Sequence, residues 1–298
     1  MAEKKLLLVG DNPFHGISHL SQEHAAERGR DVMNPEFAAG LVTLAMDNGA
    51  DGFMFSVSET TLAVLKMAAR ANKREGMRLY AIAPYAYEFV RAAVLAGGVV
   101  GLAKHVGKQI VLSGNVSAMI YGLRGVAFTD PSQLIKGYLS YETSRIRAAA
   151  GGKCVLASVM LHELVTDMAL ALDMKWMVEA HIEFMRGRRI KPGFETRNLP
   201  YLVKKFEDWG IDFRHVAVAA PFNSVGFQMC PSKQACEEAL GRMPGAETIA
   251  FSILAAGYCK PPDAARYLAV LPGVNGVAVG VTKKNHAQET FKLLGNAL

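Results

Sequence analysis

The chain has 298 residues, 51% hydrophobic and 20% charged, which is a globular composition long enough for one large core. Its formal net charge of +6 is spread without a Lys/Arg tract or a basic and aromatic alternation, which excludes a nucleic-acid groove and leaves a modest bias toward anionic substrates. The apolar run in MAEKKLLLVG is too short for a secretion signal and the longest apolar stretches, such as 92–103, are too short to cross a bilayer, so a cytoplasmic chain without a membrane partner is expected.

The first β-type run, KLLLVG at 5–10, ends in GDNPFHGISH, the most polar strand end in the sequence. There Asp11 has the chemistry of a base or orienter, His15 of an acid and Asn12 of an amide donor to a substrate oxygen. The local alternative is a turn and helix cap at Asp11-Asn12-Pro13. Asp11, His15 and His19 also carry metal-ligand atoms, but no further strand end supplies a partner, and no metal is expected. The helix-period stretch PEFAAGLVTLAMDNGA follows, then DGFMFSV at 51–57, ending in Ser58 and Glu59. SETTLAVLKMAARANKREG is the next helix and RLYAIA at 78–83 the third run, whose end offers Tyr85 as a proton donor.

QIVLSG at 109–114 is a fourth candidate strand, followed by Asn115. CVLASVML at 154–161 leads into His162 and Glu163, an acid/base pair at a strand end, where a small environmental shift makes a histidine useful near neutral pH. After the helix TDMALALDMKWMVEAHIEFMRG come RRIKPGF at 188–194, then Glu195, Thr196, Arg197 and Asn198, and the helix LPYLVKKFEDWG. HVAVAA at 215–220 precedes Asn223, and TIAFSIL at 248–254 precedes Tyr258 to Lys260. GVAVGV at 276–281 runs into Thr282, Lys283 and Lys284 before a last helix. Cations at a helix N-terminus are unfavourable by about a few tenths to one kcal/mol, so two of them there predict a bound anion, in the manner of a phosphate cradle.

Apolar strands that each precede a helix mean a parallel sheet covered by helices, and about eight repeats mean an α/β chain folded as a single-domain (β/α)8 TIM barrel over residues 1–298. Nine candidate runs compete for eight places, so one is an extra or capping strand in the N-terminal half or not a strand at all. The competing doubly wound sheet lacks its GxGxxG turn after the first strand. Cys154, Cys230, Cys236 and Cys259 form no CxxC pair, and reduced thiols are expected.

From about residue 133 the order of pieces resembles the aldo-keto reductases, (β/α)8 barrels that bind NADP(H) across the mouth. QLIKGYLSYETSRIRAAAGGKCVLASVMLHE resembles the helix and strand that end in the family's active-site histidine, here His162. KPGFETRNLPYLVKKFEDWGI resembles the strand and loop that contact the nicotinamide amide, here Thr196, Arg197 and Asn198. HVAVAAPFNSVG resembles the next strand and turn, with Asn223. IAFSILAAG resembles the segment whose aromatic stacks on the nicotinamide, which would be Phe251, and LPGVNGVAVGVTKKNHAQETFKLL resembles the segment that holds the adenosine 2′-phosphate, here Thr282, Lys283 and Lys284.

The resemblance implies NADP as cofactor and reduction of a small carbonyl compound, with His162 polarising the carbonyl and Asp11 or Tyr85 managing the proton. Of the family's Asp, Tyr, Lys and His set only the histidine has a counterpart, and Ala219 stands where the amide-binding Gln is wanted. A lyase or isomerase acting on a phosphorylated or carboxylated metabolite through Asp11, His15, His162 and Glu163 is the alternative. A non-catalytic binding protein on the same barrel is a third reading. The oligomeric state stays open.

Overall fold

Eight of the nine β-type runs become parallel strands: β1 (Leu6–Gly10), β2 (Gly52–Ser56), β3 (Met77–Ala83), β4 (Cys154–Leu161), β5 (Lys191–Glu195), β6 (Ala217–Pro221), β7 (Glu247–Phe251) and β8 (Gly276–Gly280). Each pairs with the next, and β8 returns to β1 in the register Leu6↔Gly276 to Gly10↔Gly280, so the sheet closes. The structure is a computed structural model that describes residues 4–15, 32–72, 75–84, 114–127 and 130–298. β3 pairs directly with β4, from Met77↔Cys154 to Ala83↔Leu161, which leaves no barrel place for QIVLSG. Residues 109–113 of that run lie outside the described residues.

Among the described residues, the surrounding helices are α1 (Pro35–Asp47), α2 (Glu59–Ala71), α3 (Val116–Ala127), α4 (Pro131–Ala150), α5 (Glu163–Ala171), α6 (Lys175–Gly187), α7 (Leu199–Trp209), α8 (Lys233–Leu240), α9 (Pro261–Ala269) and α10 (Lys284–Ala297). Their starts are written locally: Ser58 and Thr61 form a reciprocal capping box on α2, Asp130 caps α4, and Asn198 caps α7 ahead of Pro200. No described helix is long and apolar enough to cross a membrane.

Two apolar layers result. Leu8, Met54, Tyr80, Met160, Ile249 and Ala278 fill the barrel interior, while Phe53, Phe55 and Phe194 point outward and pack under the helices, Phe194 against Phe206 of α7. Gly193 of β5 faces inward where a Cβ would stand 2.3 Å from Met160 Cγ, so the interior admits no side chain there. At the base, Tyr80 of β3 and Lys191 of β5 both bond the Glu247 carboxylate of β7, a polar layer drawn from alternate strands. Burial alone would raise the Glu247 pKa, but the bonds from Lys191 and Tyr80 outweigh it and hold the carboxyl below its ordinary range. The same burial and the bond to Glu247 raise the Tyr80 phenol.

Candidate active site at the barrel mouth

Strand C-terminal ends open one end of the barrel, and the polar residues read from the sequence converge there. A single 3-10 turn, Asn12–His15, follows β1 and folds His15 back over Asp11. His15 Nε2 lies 2.9 Å from Asp11 Oδ2, and the Ser56 N–H donates to the same oxygen at 2.7 Å. Both side chains are only 5% exposed, so the pair is built into the junction of β1 and β2. Among the described residues no group of three potential ligands is arranged to hold a metal, and His19 lies outside the described residues.

β4 delivers His162 as the N-cap of α5: its Nδ1 accepts the Leu164 N–H at 3.2 Å, and its own N–H bonds the Ala83 carbonyl of β3. An Nδ1 that accepts leaves the ring hydrogen on Nε2. Burial holds the His162 pKa below its ordinary value despite the Glu163 charge, so near neutral pH the ring is an uncharged Nε2–H donor. Glu163 opens the first turn of α5 and accepts the Arg197 Nε–H at 2.5 Å. One turn further along the same face of α5, Asp167 accepts the Thr196 hydroxyl at 2.5 Å, and burial raises its pKa.

Between these groups sits Glu195, the last residue of β5. Its Oε2 accepts the Glu163 N–H at 3.3 Å, leaving the other oxygen to carry a proton. Burial first, then the Glu163 and Asp11 charges, push its pKa up to about 8, so it is a protonated acid at neutral pH. Part of its surface stays open. The sequence reading placed Glu195 at a strand end without giving it a role. Strand alternation carries the missing signal, because Lys191, Gly193 and Glu195 share the inward face.

The residues assigned to a cofactor divide. Asn198 caps α7 through Oδ1 and keeps its amide donors free among the described residues. Phe251 ends β7 half-buried over the interior apolar cluster. Asn223, read from the sequence as cofactor-binding, is fully buried: its Nδ2 donates to the Phe227 and Ser252 carbonyls, and its Oδ1 accepts the Phe227 N–H. It locks the loops after β6 and β7 together. Those loops hold Gln228, Ser252, Ala255 and Ala256 in the left-handed region, with the Ser252 hydroxyl on Gln228 at 2.9 Å, a concentration of strain that persists only in over-determined segments.

Thr282 is half-buried, Lys283 is the N-cap of α10 and Lys284 its first residue. The helix has no acidic residue in its first turn and no side-chain cap, and both ammonium groups are exposed and unpaired among the described residues. Tyr85 lies outside the described residues.

A solved structure described as "the putative aldo-keto reductase from Pseudomona aeruginosa" is similar over 99% of this chain and 91% of its own, with a TM-score of 0.59 and 13% sequence identity. The two share the (β/α)8 barrel fold. No protein-family model matches the sequence, and no curated protein matches it significantly. At this identity the likeness establishes the barrel and leaves the reaction to the mouth residues. In this barrel the end of β2 carries Ser56 and the end of β3 leads into Pro84, so an Asp, Tyr, Lys and His set is not assembled among the described residues.

Proposed function

We propose that the chain is an NADP(H)-dependent reductase of small carbonyl compounds in which Glu195 and His162 handle the carbonyl oxygen in place of a tyrosine and a lysine. One observation carries this reading: Glu195 ends β5 at the barrel mouth with its carboxylate on the Glu163 N–H, in surroundings that favour its protonated form. The His162 Nε2–H polarises the carbonyl, and Glu195 donates the proton that completes the alcohol. Burial first, and then the charge of Glu163, which is held by Arg197, keep the Glu195 acid above its ordinary range.

The chain's residues suit the cofactor. The uncapped, doubly cationic start of α10 matches a 2′-phosphate, Phe251 offers a ring at the mouth, and Asn198 keeps an amide to donate. Bound NADPH would supply the hydride. Titration with NADPH and NADH tests the reading, with Lys283→Ala and Lys284→Ala as variants. NADPH binding tighter than NADH, with the difference lost in the variants, is the expected result.

Binding of neither nucleotide refutes the reductase and leaves the second reading. That reading is favoured by the abundance of proton-handling groups: Asp11 with His15 beside Glu195 and His162 suits a lyase or isomerase that moves a proton next to the carbonyl of a phosphorylated or carboxylated metabolite.

A further inference from the structure

At the base of the barrel, where Cys154 opens β4 and Ile190 leads into β5, lies a cavity of about 340 Å³ lined by Arg147, Arg188, Arg189, Ile146, Leu156 and Ile190. Arg147 belongs to the last turn of α4, and Arg188 and Arg189 follow the end of α6. Two helix C-termini meet here, and each presents the equivalent of about half a negative charge. Three guanidiniums exceed that, and among the described residues no carboxylate pairs with any of them.

Arg188 is pre-set. Its Nη2 donates to the Ser140 hydroxyl at 3.1 Å, its guanidinium lies 4.1 Å over the Phe184 ring, and its Nε–H is buried without a partner. A buried unpaired donor is costly unless something accepts from it. Burial depresses the Arg188 pKa, with a smaller contribution in the same direction from the Arg147 charge and an opposing one from Tyr121.

Arg189 adds a separate observation. α6 ends in a Schellman pattern, with Ile190 N–H on the Met185 carbonyl and Arg189 N–H on that of Arg186, which puts Arg189 at the left-handed position with φ 59°. Glycine takes that position without penalty, and another residue costs about 1 kcal/mol there. The chain keeps an arginine where a glycine would be easier and directs a third cation to the cavity.

We propose that this cavity binds a small phosphate-bearing molecule, held by Arg147, Arg188 and Arg189 at the opposite end of the barrel from the mouth. Guanidinium forks match phosphate oxygens, and the cavity is at the small end of ligand pockets, with Ile146, Leu156 and Ile190 to receive an apolar portion. The test is calorimetric titration with inorganic phosphate and with pyrophosphate on the Lys283→Ala/Lys284→Ala variant, which removes the cations of α10. The same titration is repeated after adding Arg147→Gln and Arg189→Gln, both exposed positions outside the apolar core. Binding in the first protein and affinity weaker by about tenfold or more in the second is expected from the loss of charge-assisted bonds. Absence of binding of either anion to the first protein, or equal affinity in both, overturns the site.

Discussion

Glu195 is the residue on which the proposed chemistry turns, and its titration is measurable without a substrate. Its folded pKa is raised from 4.5 to about 8, so between those values the folded chain holds a proton that the unfolded chain has lost. The contribution of this group to stability is therefore full below the unfolded value and declines as pH rises through the folded one. Glu195→Gln removes that dependence. Urea unfolding at about pH 5 and about pH 9 should show the variant gaining on the parent at the higher pH, by on the order of one to two kcal/mol after discounting for solvent at the open side. If the glutamate is also the proton donor, the variant loses carbonyl reduction while still binding NADPH, and the parent's activity falls as pH rises past about 8.

The elements show which parts of this were legible beforehand. Apolar runs followed by helices were enough for the barrel, because burial on both faces leaves a composition that local sequence displays. QIVLSG has that composition too, and only the direct pairing of β3 with β4 removes it from the barrel, a fact of long-range register. RRIKPGF was read as starting too early: Arg188 and Arg189 terminate α6, and the strand opens at Lys191. His162 was legible from its place at a strand end. Glu195 was in view but without a role, since its raised pKa comes from burial and then from Glu163 and Asp11, and both the packing and those charges are supplied by other elements.

The structural bonds of Asn223 to Phe227 and Ser252 were not legible, because those partners declare nothing in sequence. It belongs to the element scale, as a clamp between two loops. Asn223→Ala leaves three backbone groups without their partner and should cost about 2–3 kcal/mol in urea unfolding.

Across the whole molecule the two ends of the barrel divide their tasks. The mouth gathers groups poised to exchange protons, while at the base Glu247 ties Lys191 and Tyr80 into one layer. Glu247→Gln should lower stability by about 1–2 kcal/mol, less than for a fully enclosed pair because Lys191 is partly exposed, and should leave NADPH affinity unchanged. A parallel fall in both would mean that the ends are coupled.

The closure of β8 onto β1 also limits how this protein can meet others. Each of the eight barrel strands already has a neighbour on both sides, so on the barrel sheet an extended peptide finds no row of open backbone groups to extend. A partner that meets the barrel among the described residues therefore has side chains on helices and connecting loops to recognise, where a single substitution can alter the contact without disturbing the sheet.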